Sequence, residues 1–497
     1  MLSAKELSTT GASSEPMKAD GVGWRPLADQ PLRRSWFLPG IPWVIAGLGG
    51  VFLVGMRKLL FLWEVPISQR LVAMVGGSAG ALMIVWGTYW FTRSQGTGKL
   101  FRPAHLLKIN LWRGLLVALF IYGFLYHNAI TETGNEFIML WIISAALVVG
   151  GDDRFWYAIA KPLTVIFYLA ALLVFLYYDT PLEVTTTPEG TFASQIEYMS
   201  ARYLGTLGME FRALAGAGLF LGFWGALSPR NDIWRGLQIL AIFIAAGIEV
   251  VLFKFRGAVV VFALAGLSLL LFRPFLERRR RPGMMAILVA LIVTGSLIFL
   301  RTQESQFLID RFSENEAIAN EGMFSSRNIE LAAYMSDMKA QVLVGHGLGG
   351  YFNAYDAFRN RESLQWGTLH YGLLVFTLKG GVLMLGLFLA FLWPGFYIRP
   401  RAWYQNRCNL VAALMFPILL FQFALGPIAL SINSIMAQLP AMMVLARFGR
   451  RTELDVPKGS PSRKSAPRAT AALSPPPHGR FHPNPQGQTM VPEGVVE

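Results

Sequence analysis

The chain has 497 residues, of which 54% are hydrophobic and only 15% charged, and its mean hydropathy is +0.45. A soluble domain of this size could not hide that much apolar surface. The formal charge of +14 is assigned to membrane topology rather than to nucleic acid, because Lys and Arg accumulate in cytoplasmic loops.

The apolar residues fall in runs of about 17–25, the length that crosses a hydrocarbon core, and no β-barrel alternation is visible. The expected fold is an all-α polytopic membrane protein. Residues 1–40 form a polar, basic segment. The first apolar run, near Ile41, starts too far in for a cleaved signal peptide, so the first span is expected to act as the insertion signal. About twelve spans are expected: 41–62, 69–92, 106–126, 136–150, 156–178, 203–226, 233–253, 257–273, 284–300, 370–392, 409–425 and 428–446. Thus 41–300 holds nine spans, 301–369 is one large outer loop, and 370–446 holds three more. The Pro-, Ser- and Arg-rich stretch 447–497 is expected to be a disordered tail.

Loop charge sets the orientation. Basic loops carry Arg93, Lys99 and Arg102; Arg230 and Arg235; Arg278 to Arg281; Arg399, Arg401 and Arg407; and Arg447, Arg450 and Arg451. They alternate with acidic or neutral loops at Glu64, Glu132 and Asp179 to Glu189, and with 301–369. The alternation predicts both termini in the cytoplasm and the 301–369 loop in the periplasm. Within that loop, SSRNIELAAYMSDMKA reads as a short amphipathic helix, with Ser325 or Ser326 as candidate N-cap.

The residues with chemical potential follow in chain order. Lys254 and Arg256 sit between two apolar runs in FKFRGAVVVF, on the expected outer side. One reading is a tight turn with snorkelling cations; the other is an anion site, with Gly257 allowing close approach. Arg327, in the first turn if the loop helix starts at Ser326, is either an exposed loop residue or part of an anion site with that turn's free N–H groups. Gly345, Gly347 and Gly349 in GHGLGG read as a tight turn ending the loop helix, since no βαβ unit supports a dinucleotide site; His346 then has a structural role. His370 opens a span and is either an interfacial polar residue or a base near neutral pH. No HExxH and no second histidine at ligand spacing accompany it, so neither a metal nor another cofactor is expected.

Taken together these pieces resemble the O-antigen ligase and polymerase superfamily of bacterial envelopes, over roughly 203–446. The match comprises Arg256-Gly257 at the outer end of a span, then an apolar helix and a basic inner loop. A further span leads to an outer loop with R-x-x-x-x-A-x-x-M from Arg327 to Met335 and GHGLGG-x-F to Phe352, and His370 then opens a span containing Gly380-Gly381. Phe255 stands where a serine is common. The resemblance implies a GT-C-like, metal-independent glycosyltransferase of the bacterial inner membrane. Its donor would be an undecaprenyl-diphosphate-linked glycan, and its acceptor lipid A–core or a growing saccharide chain. It implies essential roles for Arg256, Arg327 and His370, with Lys254, Gly257 and the turn glycines Gly345, Gly347 and Gly349 near the diphosphate or shaping the loop. Ligase and polymerase differ only in acceptor, and a protein-directed glycan transferase is a third version. A twelve-span transporter is the alternative from another class, although the candidate groups lie at a surface rather than at the midplane of repeated halves.

Overall fold

The computed structural model describes residues 38–55, 75–126, 128–177, 214–228, 232–252, 256–271, 323–339, 341–356, 361–366, 371–397, 406–425 and 435–450. The chain divides into two units, Met1–Arg451 and Thr452–Glu497, and all described residues belong to the first. Of the expected tail 447–497, residues 447–450 are described, Arg447 and Phe448 within the last helix; the rest of it and the expected span 284–300 lie outside the described residues.

The described part is mostly helical. In chain order the helices are α1 (Ile41–Gly55), α2 (Gly77–Gln95), α3 (Pro103–Leu125), α4 (Ile130–Val149), α5 (Asp153–Tyr177), α6 (Leu214–Ala226) and α7 (Ile233–Ala246), which runs on into a π-helical turn, Gly247–Leu252. There follow α8 (Arg256–Leu271), α9 (Met323–Met338), α10 (Gly372–Leu392), α11 (Arg407–Leu425) and α12 (Ile435–Phe448). Between α9 and α10 lies one antiparallel hairpin, β1 (Phe352–Asp356) with β2 (Arg361–Trp366), which adds strand to a segment expected to hold a helix and a glycine turn.

Among the described residues, five helices are long and apolar enough to cross a membrane: Pro103–Leu125, Ile130–Val149, Asp153–Leu176, Gly372–Tyr397 and Arg407–Ala424. Their outward faces fit hydrocarbon surroundings. On α3, Leu107, Leu111, Ile121 and Leu125 are exposed at roughly helical spacing, while Ile109, Trp112, Leu116 and Leu119 are buried. A contiguous apolar stripe of that kind in water would be an aggregation surface.

The helix ends follow local chemistry. Pro103 opens α3, where its missing N–H would have no partner anyway. Gly96 closes α2 in the left-handed region (φ 61) and returns its N–H to the Thr92 carbonyl. Asp232 caps α7 by accepting from the Arg235 N–H at 2.9 Å. α1 lies close against α2: a Cβ on Gly47 would come 2.5 Å from the Gly80 carbonyl oxygen, so small residues permit the approach.

Among the described residues, the connections near Arg102, Asp153, Asn406 and Arg450 meet at one end of the bundle. Phe101 bridges Arg450, and the Arg102 N–H donates to the Gly449 carbonyl at 3.2 Å. Asp153 accepts from Arg447, from Arg450 Nη1 at 2.7 Å and from Asn406 Nδ2 at 2.5 Å. α3 runs about 34 Å from this end to the other, where the segment after α9 returns to the bundle.

Two boundaries differ from expectation. α4 starts at Ile130 rather than 136, because its polar first turns have partners in the returning loop and Glu132 suits a helix N-terminus. The loop helix starts at Met323, so Ser325 and Ser326 lie inside it rather than capping it, and Arg327 falls in its second turn. Serine is tolerated in helical positions, and Met and Phe extend the turn backward.

Candidate functional site

The best-defined feature at the end away from the basic loops is the turn 341–350. Gly345 (φ 69), Gly347 (φ 79) and Gly349 (φ 72) all occupy the left-handed region, where a side chain is strained. The turn is also crowded. A Cβ on Gly345 would lie 2.6 Å from the Leu378 carbonyl oxygen, and one on Gly347 would lie 2.8 Å from Gly123 Cα. Glycine is therefore required both by backbone conformation and by contact with α3 and α10.

α10 is broken where the turn meets it. Gly380 (φ −142, ψ 17) and Gly381 (φ 64, ψ −163) leave helical geometry within the apolar run. Such a break frees backbone groups that must find partners in a low-dielectric setting. The turn supplies them. The His346 N–H donates to the Leu378 carbonyl at 2.7 Å, and the Val382 N–H donates to the Val342 carbonyl at 2.8 Å.

Side chains complete the docking. Asn128 Nδ2 donates to the His346 and Leu348 carbonyls at 2.9 and 2.8 Å, and Thr133 Oγ1 donates to the Leu348 carbonyl at 3.2 Å. Gln341 Nε2 donates to the Tyr126 hydroxyl at 2.6 Å. Lys379, fully buried, forms an ion pair with Glu136 Oε1 at 2.6 Å and donates to the Gly350 carbonyl at 2.5 Å. The other Glu136 oxygen accepts from the Gly349 N–H at 2.7 Å. Tyr334 on α9 shares a hydrogen bond with Thr377 on α10 and sets its ring edge-on to buried Phe352, 5.9 Å away.

His346 projects back toward α9. Its Nε2 lies 3.0 Å from Asp337 Oδ2, within ion-pair range but without hydrogen-bond alignment. Burial holds its imidazole below the usual histidine value; Asp337 opposes that shift and the Lys379 ammonium reinforces it. The ring is therefore neutral near pH 7.

The residues singled out from sequence fall into three groups. Gly345, Gly347 and Gly349 form the docked turn, and the Gly345 and Gly349 N–H groups are already bonded within the protein. Arg256 and Gly257 open α8 and Arg327 lies in α9, placed by their backbone alone. Lys254 and His370 lie outside the described residues; in the chain His370 stands two residues before α10. Sequence reasoning missed Glu136, Lys379 and Asn128. An isolated lysine in a spanning run signals a buried partner, and Glu136 is an acid at the edge of another apolar run. No protein-family model matches the chain, and no curated protein matches it.

Proposed function

We propose that this protein is an inner-membrane glycosyltransferase of the O-antigen ligase type. It has about twelve spans, a GT-C-like arrangement and cytoplasmic termini, and it works at the periplasmic face. It transfers a glycan from an undecaprenyl-diphosphate carrier to a saccharide acceptor, lipid A–core or a growing chain. The observation that carries this reading is the docking of the 341–350 turn into the break of α10, at the end away from the basic loops. A loop anchored there suits a reaction on a lipid whose diphosphate lies at the outer interface.

In the proposed reaction an acceptor hydroxyl oxygen attacks the anomeric carbon of the donor. The bond from that carbon to the phosphate oxygen breaks, and the lipid diphosphate leaves. Arg256 and Arg327 stabilise the charge gathering on the diphosphate, since guanidinium offers paired donors and keeps its charge. His370 takes the proton of the attacking hydroxyl. Lys254 adds positive charge beside Arg256.

Two alternatives stand beside the ligase. A polymerase would use the same groups and a second lipid-linked repeat unit as acceptor. A transporter would use a broken helix differently, leaving half-helix ends free to face substrate or ions. In α10 the Leu378 carbonyl and Val382 N–H on either side of the break are both bonded to the turn, which counts against that use. Deleting the gene and analysing envelope glycans tests the reading. Full-length polysaccharide retained on the lipid carrier identifies a ligase, and single repeat units identify a polymerase. Unaltered envelope glycans would end the proposal.

A further inference from the structure

Glu136 and Lys379 take no part in the proposed chemistry, yet they form a closely tied buried ion pair at this end of the bundle. Lys379 is fully buried and sits directly before the break in α10. The outer segment Gly372–Lys379 is disconnected from the rest of α10 by the non-helical Gly380 and Gly381, so helical continuity does not set its direction. Besides the hydrogen bond that Thr377 shares with Tyr334 on α9, three links replace that continuity. Two are backbone bonds, from His346 to Leu378 and from Val382 to Val342, and they depend little on side-chain identity. The third is the Lys379–Glu136 pair, which reaches across to α4.

The pair is saturated in a specific way. One Glu136 oxygen faces Lys379 and the other accepts from the Gly349 N–H, while Lys379 Nζ also donates to the Gly350 carbonyl. Two side chains thus fix α4, the glycine turn and the outer segment of α10 in one register. Stability alone does not call for charges here, because apolar residues of similar volume often replace a buried ion pair without loss. What an ion pair adds is a defined geometry.

We infer that Glu136 and Lys379 are positioning residues: they set the direction of the outer segment of α10 against the turn, and through it the alignment of the transferring groups. This rests on the transferase reading. The His346–Asp337 contact closes the same turn onto α9, so the register extends to the helix that carries Arg327.

The test is the double variant Glu136→Gln/Lys379→Met in the full-length purified protein. It removes both charges but keeps an acceptor for the Gly349 N–H. With a synthetic polyprenyl-diphosphate-linked saccharide as donor, kcat should fall roughly 10–100-fold, the loss expected of a small misalignment. The donor KM should stay within about two-fold, and the unfolding midpoint within about 4 °C. Amide exchange at His346 and Val382 should quicken, because the register they report is no longer held. A double variant with wild-type kcat overturns the inference. So does a kcat loss matched by an equal loss of donor affinity and a lowered midpoint, which marks the pair as merely structural. If the wild type transfers nothing, the transferase reading fails by itself, and unchanged exchange at His346 and Val382 then contradicts the positioning role separately.

Discussion

The two ends of the bundle both bury charge, but they use it differently. At the basic end Asp153 meets Arg447, Arg450 and Asn406 together, and Arg447 also donates to Asn409 Oδ1 and to the Gly151 carbonyl, each at 2.9 Å. These partners lie at helix ends or in the short connections beside them, and they are redundant. At the other end the charge is a single pair, Lys379 with Glu136, whose two carboxylate oxygens are used once each, on Lys379 and on the Gly349 N–H. The remaining bonds that hold the loop against the broken helix, from Asn128, Thr133 and Gln341, are between neutral groups. A redundant network stabilises whichever arrangement the helices adopt. A singly tied one specifies a particular arrangement, and that is the property a reaction site needs.

The comparison is sharpest where the effects are largest. Arg256→Ala and Arg327→Ala should each lower transfer about 10²–10³-fold with normal protein levels, as loss of one fixed charge donor does. Lysine should rescue poorly, because it lacks the two-pronged contact. Near-normal transfer in both alanine variants, measured with purified protein, would return Arg256 to snorkelling and Arg327 to an exposed loop residue.

Asp153→Asn probes the redundant end. It leaves the fully buried Arg447 with uncharged partners and should lower stability by about 3 kcal/mol, while transfer per folded molecule stays at the wild-type level. Denaturant unfolding beside a specific-activity assay checks both halves. A fall in specific activity would erase the contrast between the two ends.

Gly381→Ala probes the docked end through the backbone. At φ 64 a Cβ would lie 2.1 Å from the Leu343 carbonyl oxygen, so strain of about 1–3 kcal/mol is expected along with displacement of the turn. Here specific activity should fall with stability, unlike at Asp153. Limited proteolysis between Met338 and Tyr351 reports the displacement.

The smallest effect is a pH dependence. His346 titrates below its ordinary value of 6.5 in the folded protein, with Asp337, Lys379 and, through Lys379, Glu136 as its charged surroundings. A depressed histidine pKa means that the unfolded chain takes up the proton first. The stability is therefore fully present above about pH 6.5 and declines as the pH falls from there toward the lower folded value. The unfolding midpoint should drop by a few degrees between pH 7.5 and 5.5, and His346→Gln should flatten that part of the profile. A midpoint that rises on acidification would reverse the sign of the argument.

Much of the helical framework was legible because apolar runs of spanning length are a strong signal. Each expected span other than 284–300 overlaps a described helix, five of these helices are long and apolar enough to cross a membrane, and α4 starts six residues earlier than expected. The turn was legible because glycines at alternate positions point to conformations that side chains avoid. The Glu136–Lys379 pair was not, because its members stand in separate spans and pairing across a bundle leaves no local pattern. The break at Gly380-Gly381 was hidden for a similar reason. A glycine pair in an apolar run fits a continuous helix, and only the approach of Leu343 and Val344 requires the kink. The hairpin after the turn was missed because its strands are five and six residues long and show no clean alternation.

The central claim is that this chain transfers a glycan from a lipid diphosphate with His370 as base. The most direct measurement is transfer by the purified protein from a defined undecaprenyl-diphosphate-linked saccharide to a saccharide acceptor, across pH, for the wild type, His370→Ala and His370→Gln. The account predicts a new glycosidic product with release of the lipid diphosphate, and a rate that falls at acid pH. It also predicts a loss of roughly 10²–10⁴-fold in the alanine variant and a comparable loss in the glutamine variant. A fully active His370→Gln variant with an unchanged pH profile would contradict the base, and an intact donor with every acceptor offered to the wild type would contradict the transfer itself.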